Sequence, residues 1–388
     1  MKRSRMVLAL AATASMLLAA CTGGGAATSA PSASEPAPSA SASTEPSASA
    51  PAELTKVSLQ LQWAPQAQFA GYFAAKDQGY FEAAGLDVTI DDGGPTVVPQ
   101  QVGSAPDGPE FTISWVPKVL EAREAGSDLV NIAQIFQRSG TLSVSWKDSN
   151  ITKPADFKGK KIGVWDFGNE FEVTAGAKKA GLEQGTDYEK VIQPFDMTLL
   201  LSRQIDVAEA MIYNEYAQVL EATNPETGEL YQPTDLNVIN WNDEGTAMLQ
   251  DALFARAAWL AEPGNEDIAK AFLKASFQGW IYCRENPDDC IQSTVDAGSQ
   301  LPAGHQRWMM NEINPLIWPS PNGIGIMDPA QWQQTVDVSL DAGIIKAAPP
   351  ADAYRTDLAE AALAELADAD TKGESFTKGT VEVTPGGN

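Results

Sequence analysis

An α/β architecture of two lobes around a ligand cleft follows from three observations. Strand-like and helix-like periods alternate along the chain, two strand-like crossings bracket the middle of it, and the sequence beyond Arg256 turns mostly helical. Repeated β-then-α units call for a largely parallel sheet in each lobe with helices on its faces. The crossings are TLSVSW at residues 141–146 and LNVINWNDEG at 236–245. They divide the chain into lobe 1 (54–142 plus 246–366) and lobe 2 (143–245). Two lobes joined by two strands form a cleft able to close by hinging.

The first unit sets the pattern. Val57, Leu59, Leu61 and Trp63 alternate with Ser58, Gln60 and Gln62, the period of a half-buried strand. Pro65 stops it, and from Gln68 the apolar residues Phe69, Tyr72 and Phe73 fall at helical spacing before a glycine stop and the strand LDVTI. The alternation recurs as FTISW into VPKVLEAREAG, then NIAQIF, KKIGVW into EFEVTAGAKKAG, VIQPF, and AEAMIYNEYAQVLEA. No long period repeats, which excludes a solenoid. The clearest amphipathic helices of the last part are NEDIAKAFLKASFQGWIYCRENP and PAQWQQTVDVSLDAG, and residues 367–388 read as a flexible tail.

The N-terminal region is of another kind. Lys2, Arg3 and Arg5 precede an apolar run from Met6 to Leu18, the pattern of an export signal over residues 1–21. The tetrad Leu18-Ala19-Ala20-Cys21 resembles a bacterial lipobox, which makes Cys21 the expected lipid anchor; a plain signal peptide with an incidental cysteine is the alternative. Residues 22–53 contain only Ala, Ser, Pro, Gly, Thr and Glu, too polar to repay the entropy of ordering, and read as a disordered tether. The expected location is the extracytoplasmic face of the cell membrane. In that setting Cys283 and Cys290 of CRENPDDC have a disulfide open to them, with two unlinked thiols as the alternative. The formal charge of −25 disfavours nucleic acid as a partner.

Reaction chemistry is hard to find. His305 is the only histidine, so two thiols and one imidazole cannot complete a zinc site, and no G-x-S-x-G accompanies it for a Ser-His-acid set. A structural role at a helix start is the plainer reading of His305. Walker, dinucleotide-binding and H-E-x-x-H motifs are absent, and Glu170 and Glu172 read as an ordinary helix pair rather than a glycosidase dyad. No catalytic residue, metal or cofactor is expected.

Recognition chemistry is present. Open α/β sheets place ligands beyond the carboxyl ends of their strands. Trp63, Trp115 and Trp165 each close a strand-like run and precede a helix start. In VWDFGNEFEV, Gly168 permits a close approach, Asn169 suits a cap, and the helix start offers free N–H groups; an ordinary capped helix is the alternative. In MIYNEYAQ, Tyr213, Asn214 and Glu215 supply a stacking face, an amide and a charge. Flat nitrogen heterocycles need faces for stacking and edges for directional hydrogen bonds.

The stretch LQLQWAPQAQFAGYFAAKDQGYFEAAGLDVTI together with KPADFKGKKIGVW resembles the substrate-binding lipoproteins of ABC importers, in the branch related to thiamine-pyrimidine synthase, over roughly residues 56–360. The resemblance implies a type II periplasmic-binding fold, capture of a small ligand and delivery to a membrane permease with its ATPase. Relatives in this branch bind thiamine pyrimidine precursors, riboflavin or sulfonates. The synthase relatives use a pyridoxal-phosphate lysine, a histidine and a cysteine cluster. Those positions fall here on Ser114, on Lys118 and near NDEGTAMLQDALFAR, which has no cysteine. An enzyme is therefore not expected, and Lys118 reads as a solvated helix lysine.

The expectation is a monomeric, membrane-anchored receptor for a flat heteroaromatic vitamin, a thiamine-type pyrimidine first and riboflavin second. Trp63, Phe69, Tyr72 and Trp115 on one side and Trp165, Phe171 and Tyr213 on the other would hold the ring. Asn169, Glu170, Asn214 and Glu215 would read its edge.

Overall fold

The computed structural model describes residues 53–388, so the export signal, Cys21 and nearly all of the tether lie outside the described residues. Ten strands form two five-stranded sheets. They are β1 (Thr55–Gln60), β2 (Leu86–Asp91), β3 (Phe111–Ser114), β4 (Leu129–Gln134), β5 (Thr141–Trp146), β6 (Lys161–Val164), β7 (Glu189–Ile192), β8 (Val207–Met211), β9 (Leu236–Asn240) and β10 (Ala252–Arg256). The first sheet has the order β2-β1-β3-β10-β4 and the second β7-β6-β8-β5-β9. In each, one strand runs against its neighbours: β10 is antiparallel to β3 and β4, and β5 to β8 and β9. The reversed strand is the one by which the chain enters that sheet from the other.

The two runs read as crossings are neighbours. β5 and β9 pair from Leu142↔Asn240 to Trp146↔Leu236, both inside the second sheet. The chain passes between sheets just outside them, at residues 135–140 and 246–251. A strand period cannot distinguish a connecting strand from the sheet strand it leads into, since both are extended and apolar.

Helices cover the sheets as the alternation requires. Helix Ala70–Asp77 crosses the long helix Asn265–Glu285, and the crossing is closed by two glycines. A Cβ on Gly71 would lie 2.3 Å from the Trp280 ring, and one on Gly279 would lie 1.9 Å from the Gly71 carbonyl oxygen. Helix Asn265–Glu285 is followed directly by helix Pro287–Asp296, and Cys283 is joined to Cys290 by a disulfide across that corner. Among the described residues no helix is long and apolar enough to cross a membrane.

Residues 367–388, read as a flexible tail, have little regular structure yet are packed along the molecule. The Ser320 and Ile324 amides donate to the Lys372 and Thr371 carbonyls at 2.8 and 2.9 Å. Lys378 pairs with the buried Glu312, and the Gly386 amide donates to the Glu221 carbonyl at 3.0 Å. Composition suggested fraying because the segment is polar and glycine-containing; backbone hydrogen bonds and two ion pairs, Lys378 with Glu312 and Asp370 with Arg284, hold it along the molecule.

Candidate functional site

Loops beyond the carboxyl ends of the parallel strands converge from both sheets on one cleft. It holds about 670 Å³ of atom-free space, part of it open to solvent. From the first sheet come Gln62, Trp63, Gln66 and Gln68 after β1, Pro95 to Gln100 after β2, and Trp115 and Lys118 after β3. From the second come Trp165, Phe167 and Asn169 after β6, Phe195 after β7, and Tyr213, Asn214 and Glu215 after β8. The ends of strands are where backbone groups leave the ladder, so side chains there are free to face a ligand.

The walls are aromatic. Trp63 meets Phe195 across the cleft with ring centroids 4.2 Å apart, and Phe195 stacks on Trp165 at 5.8 Å and 16°. Phe167 is 68% exposed and holds a φ of +65°, in the left-handed region that disfavours a Cβ. Backbone at Trp63 is pinned from the β2 side: the Gly93 amide donates to the Trp63 carbonyl at 3.0 Å. A Cβ on Gly93 would lie 2.5 Å from the Trp63 nitrogen.

The floor is a chain of buried polar groups. Gln66 donates to Gln68 at 2.6 Å, and Gln68 donates to Asp251 Oδ2 at 2.7 Å. Burial pushes the Asp251 carboxyl up to about 7, against the opposing pull of Gln68 and Lys118. Lys118 donates to Asn169 Oδ1 at 2.7 Å across the cleft and lies 4.4 Å above the Trp115 ring. It is buried rather than solvated, and burial lowers its ammonium to about 8. Glu215 accepts from the Met211 amide at 3.0 Å and from Asn214 Nδ2 at 3.0 Å, and burial raises it to about 7. Glu209, deeper behind Trp165, accepts from the Trp165 amide at 2.9 Å, and desolvation raises it well above the usual carboxylate range.

Of the residues singled out from the sequence, Trp63, Trp115, Trp165, Asn169, Tyr213, Asn214 and Glu215 line this cleft together. Four do not. Phe69 is fully buried, and Tyr72 packs edge-on against Trp280 with centroids 5.7 Å apart, both inside the core of the first sheet. Helical spacing shows that two residues share a face, not which neighbour that face meets. Glu170 is turned to Lys190 at 3.3 Å and to the Gly168 amide at 3.0 Å. Phe171 opens the helix Phe171–Lys179 on the outer side, against a separate surface groove. That helix has Glu170 rather than Asn169 at its N-cap position, and Asn169 instead holds the Asp166 carbonyl at 2.6 Å. Glu172 is buried at the interlobe passage and accepts from Ser139 at 2.7 Å.

Phe167, Phe195, Gln62 and the Pro95 to Gln100 loop were overlooked. Each obeys the same rule as the tryptophans, following β6, β7, β1 and β2, and VIQPF carried the signal for Phe195 in its own ending. Among the described residues no His/Cys/Asp/Glu cluster could hold a metal ion.

The chain is 26% identical over 304 residues to the riboflavin-binding protein RibY of Chloroflexus aurantiacus, covering 76% of this chain and 83% of that one. It is 24% identical over 243 residues to the formylaminopyrimidine-binding protein of Halalkalibacterium halodurans, covering 61% and 69%. Its fold is similar to that of the periplasmic aliphatic sulphonate binding protein SsuA of Escherichia coli, with a TM-score of 0.56 at 16% identity over 76% of this chain and 89% of that one. The architecture is thus a periplasmic-binding-protein fold of two α/β lobes. The family model described as NMT1/THI5 like matches residues 66–290, more than half of the chain, and the protein belongs to that family.

Proposed function

We propose that this protein is the extracytoplasmic solute-binding component of an ABC importer, and that it captures a flat nitrogen-heterocyclic vitamin, riboflavin, between its lobes. The observation that carries the reading is a cleft with aromatic rings on both walls and side-chain amides between them. Trp63 and Trp115 face Trp165, Phe167 and Phe195, with Gln62, Gln66, Gln100, Asn169 and Asn214 in the gaps. Stacking on several rings suits a tricyclic ligand, and amides match its alternating donors and acceptors. The longer of the two matches described above is to a riboflavin-binding protein. A sulfonate fits less well: Lys118 is the one cation among the lining residues and its ammonium is engaged by Asn169.

A thiamine-type pyrimidine is the second reading. The 4.2 Å contact of Trp63 with Phe195 favours it, since rings this close narrow the cleft and leave less room for a tricyclic ligand. Catalysis is not proposed: Ser114 occupies the place of the synthase lysine and is buried beneath Gln100, while Lys118 is tied to Asn169. Delivery to a permease, attachment through Cys21 and a monomeric state belong to the same proposal.

Titration of the folded domain with riboflavin and with formylaminopyrimidine tests it. Riboflavin is expected to bind at micromolar concentration or tighter with its fluorescence quenched by the indoles. Tighter binding of the pyrimidine would reverse the order of the two readings, and heat from neither would sink the vitamin reading. An imine absorbance on adding pyridoxal phosphate would count against a pure binding protein.

A further inference from the structure

His305 is the only histidine in the chain, it is 1% exposed, and the cleft walls do not use it directly. It lies in the first turn of helix Ala303–Ile317, whose residues Met309, Met310 and Ile313 pack in the core of the first sheet. Yet both of its ring nitrogens face the segment that follows β8 of the second sheet. Nδ1 is 2.9 Å from both Glu221 carboxylate oxygens, and Nε2 is 2.9 Å from Asn214 Oδ1.

The neighbours decide how the Asn214 amide is turned. Its Nδ2 donates to Glu215 Oε1 at 3.0 Å, and its Oδ1 also accepts from Gln218 Nε2 at 3.1 Å. The amide oxygen therefore faces the imidazole, which requires Nε2 to donate. Nδ1 lies against the Glu221 carboxyl, which holds the ring in place. The C-terminal residues close this pair off: the Gly386 amide donates to the Glu221 carbonyl at 3.0 Å, and a Cβ on Gly387 would come within 2.8 Å of His305 Cβ and 3.0 Å of Glu221 Oε1.

We propose that His305 is a positioning residue for the ligand cleft. Held by Glu221 and sealed by the C-terminal segment, it locks the orientation of the Asn214 amide. Through Asn214 it fixes the donor and acceptor edge that Asn214 and Glu215 present to the heterocycle. It does so from a helix rooted in the first lobe, so the edge is set by a contact between lobes. The inference rests on the cleft being the ligand site.

The test combines binding with a spectroscopic readout. His305→Ala is expected to weaken riboflavin binding about tenfold, the loss of one buried hydrogen bond. Asn214→Ala should cost about as much, and the double variant no more than Asn214→Ala alone, because His305 acts through Asn214. His305→Gln, which keeps an N–H for Asn214 Oδ1, should stay within about threefold of the parent protein and serves if His305→Ala does not fold. Unchanged affinity in His305→Ala, or additive losses in the double variant, overturns the proposal. Nitrogen NMR of the unaltered protein gives one pair of imidazole resonances, needing no assignment. A hydrogen on Nε2 is the expected result, and an unprotonated Nε2 overturns the proposal. That measurement needs no ligand, so a parent protein that binds no riboflavin refutes the ligand reading while the NMR result still decides the orientation.

Discussion

Trp63 stands on the cleft wall with its ring against Phe195 and its backbone clamped by Gly93, while its neighbours Leu61 and Phe69 are buried in the first-sheet core. A residue so placed is expected to matter more to a ligand than to the fold. Trp63→Ala is expected to weaken riboflavin binding by at least about tenfold, as central aromatic anchors do. The same change should lower Tm by only about 2 °C, because little core packing is lost. Isothermal titration beside a thermal melt checks both, and a large fall in Tm with unchanged affinity would put Trp63 in the scaffold. Its place on the cleft wall was legible in the sequence because a tryptophan just past a strand has a local signature. That of Tyr72 was not, because Trp280, against which it packs, lies 208 positions further along.

At the scale of elements, the crossing of helices Ala70–Asp77 and Asn265–Glu285 depends on two backbones touching. With a Cβ on Gly279 placed 1.9 Å from the Gly71 carbonyl oxygen, Gly279→Ala must push the helices apart. Such overpacking against backbone is expected to cost roughly 3 kcal/mol, measurable as a lower denaturant midpoint in chemical unfolding. Glycine inside a long helix lowers helix propensity, so its presence at 279 already hints at a contact. What it touches was hidden. The strands themselves were readable from alternation, including β1, β3 and β6 with their aromatic ends, whereas the pairing of β5 with β9 was not, since alternation carries no partner information.

The whole molecule concentrates buried carboxylates between its lobes. Glu172 accepts from Ser139 and Gln250 at the interlobe passage, with burial raising it to about 8, while Asp251 and Glu215 are raised to about 7. Each has a folded value above its unfolded one, so its favourable contribution is complete below the unfolded value and is lost as pH climbs through the folded one. The window runs from about pH 4 to about pH 8. Lys118, lowered to about 8, acts only above that window, where its sign is opposite. The ligand-free protein should therefore melt several degrees higher at pH 5.5 than at pH 8, and Glu172→Gln should flatten that slope. An equal or higher Tm at pH 8 would show that these groups are hydrated in solution.

The sequence alone carried the alternation of strands and helices, the α/β class, the ends of strands as the place of the cleft, and three of the tryptophans there. These are local properties, written in periods of two and of 3.6 residues and in the residue that follows each run. Only the tertiary structure decided which runs share a sheet, that Tyr72 and Phe69 turn inward, that Lys118 is buried against Asn169, and that His305 reaches Asn214 across the lobes. Those depend on contacts between residues far apart in the chain, whose free energy comes from burial and hydrogen bonding in the closed fold and leaves no periodic trace in either partner alone.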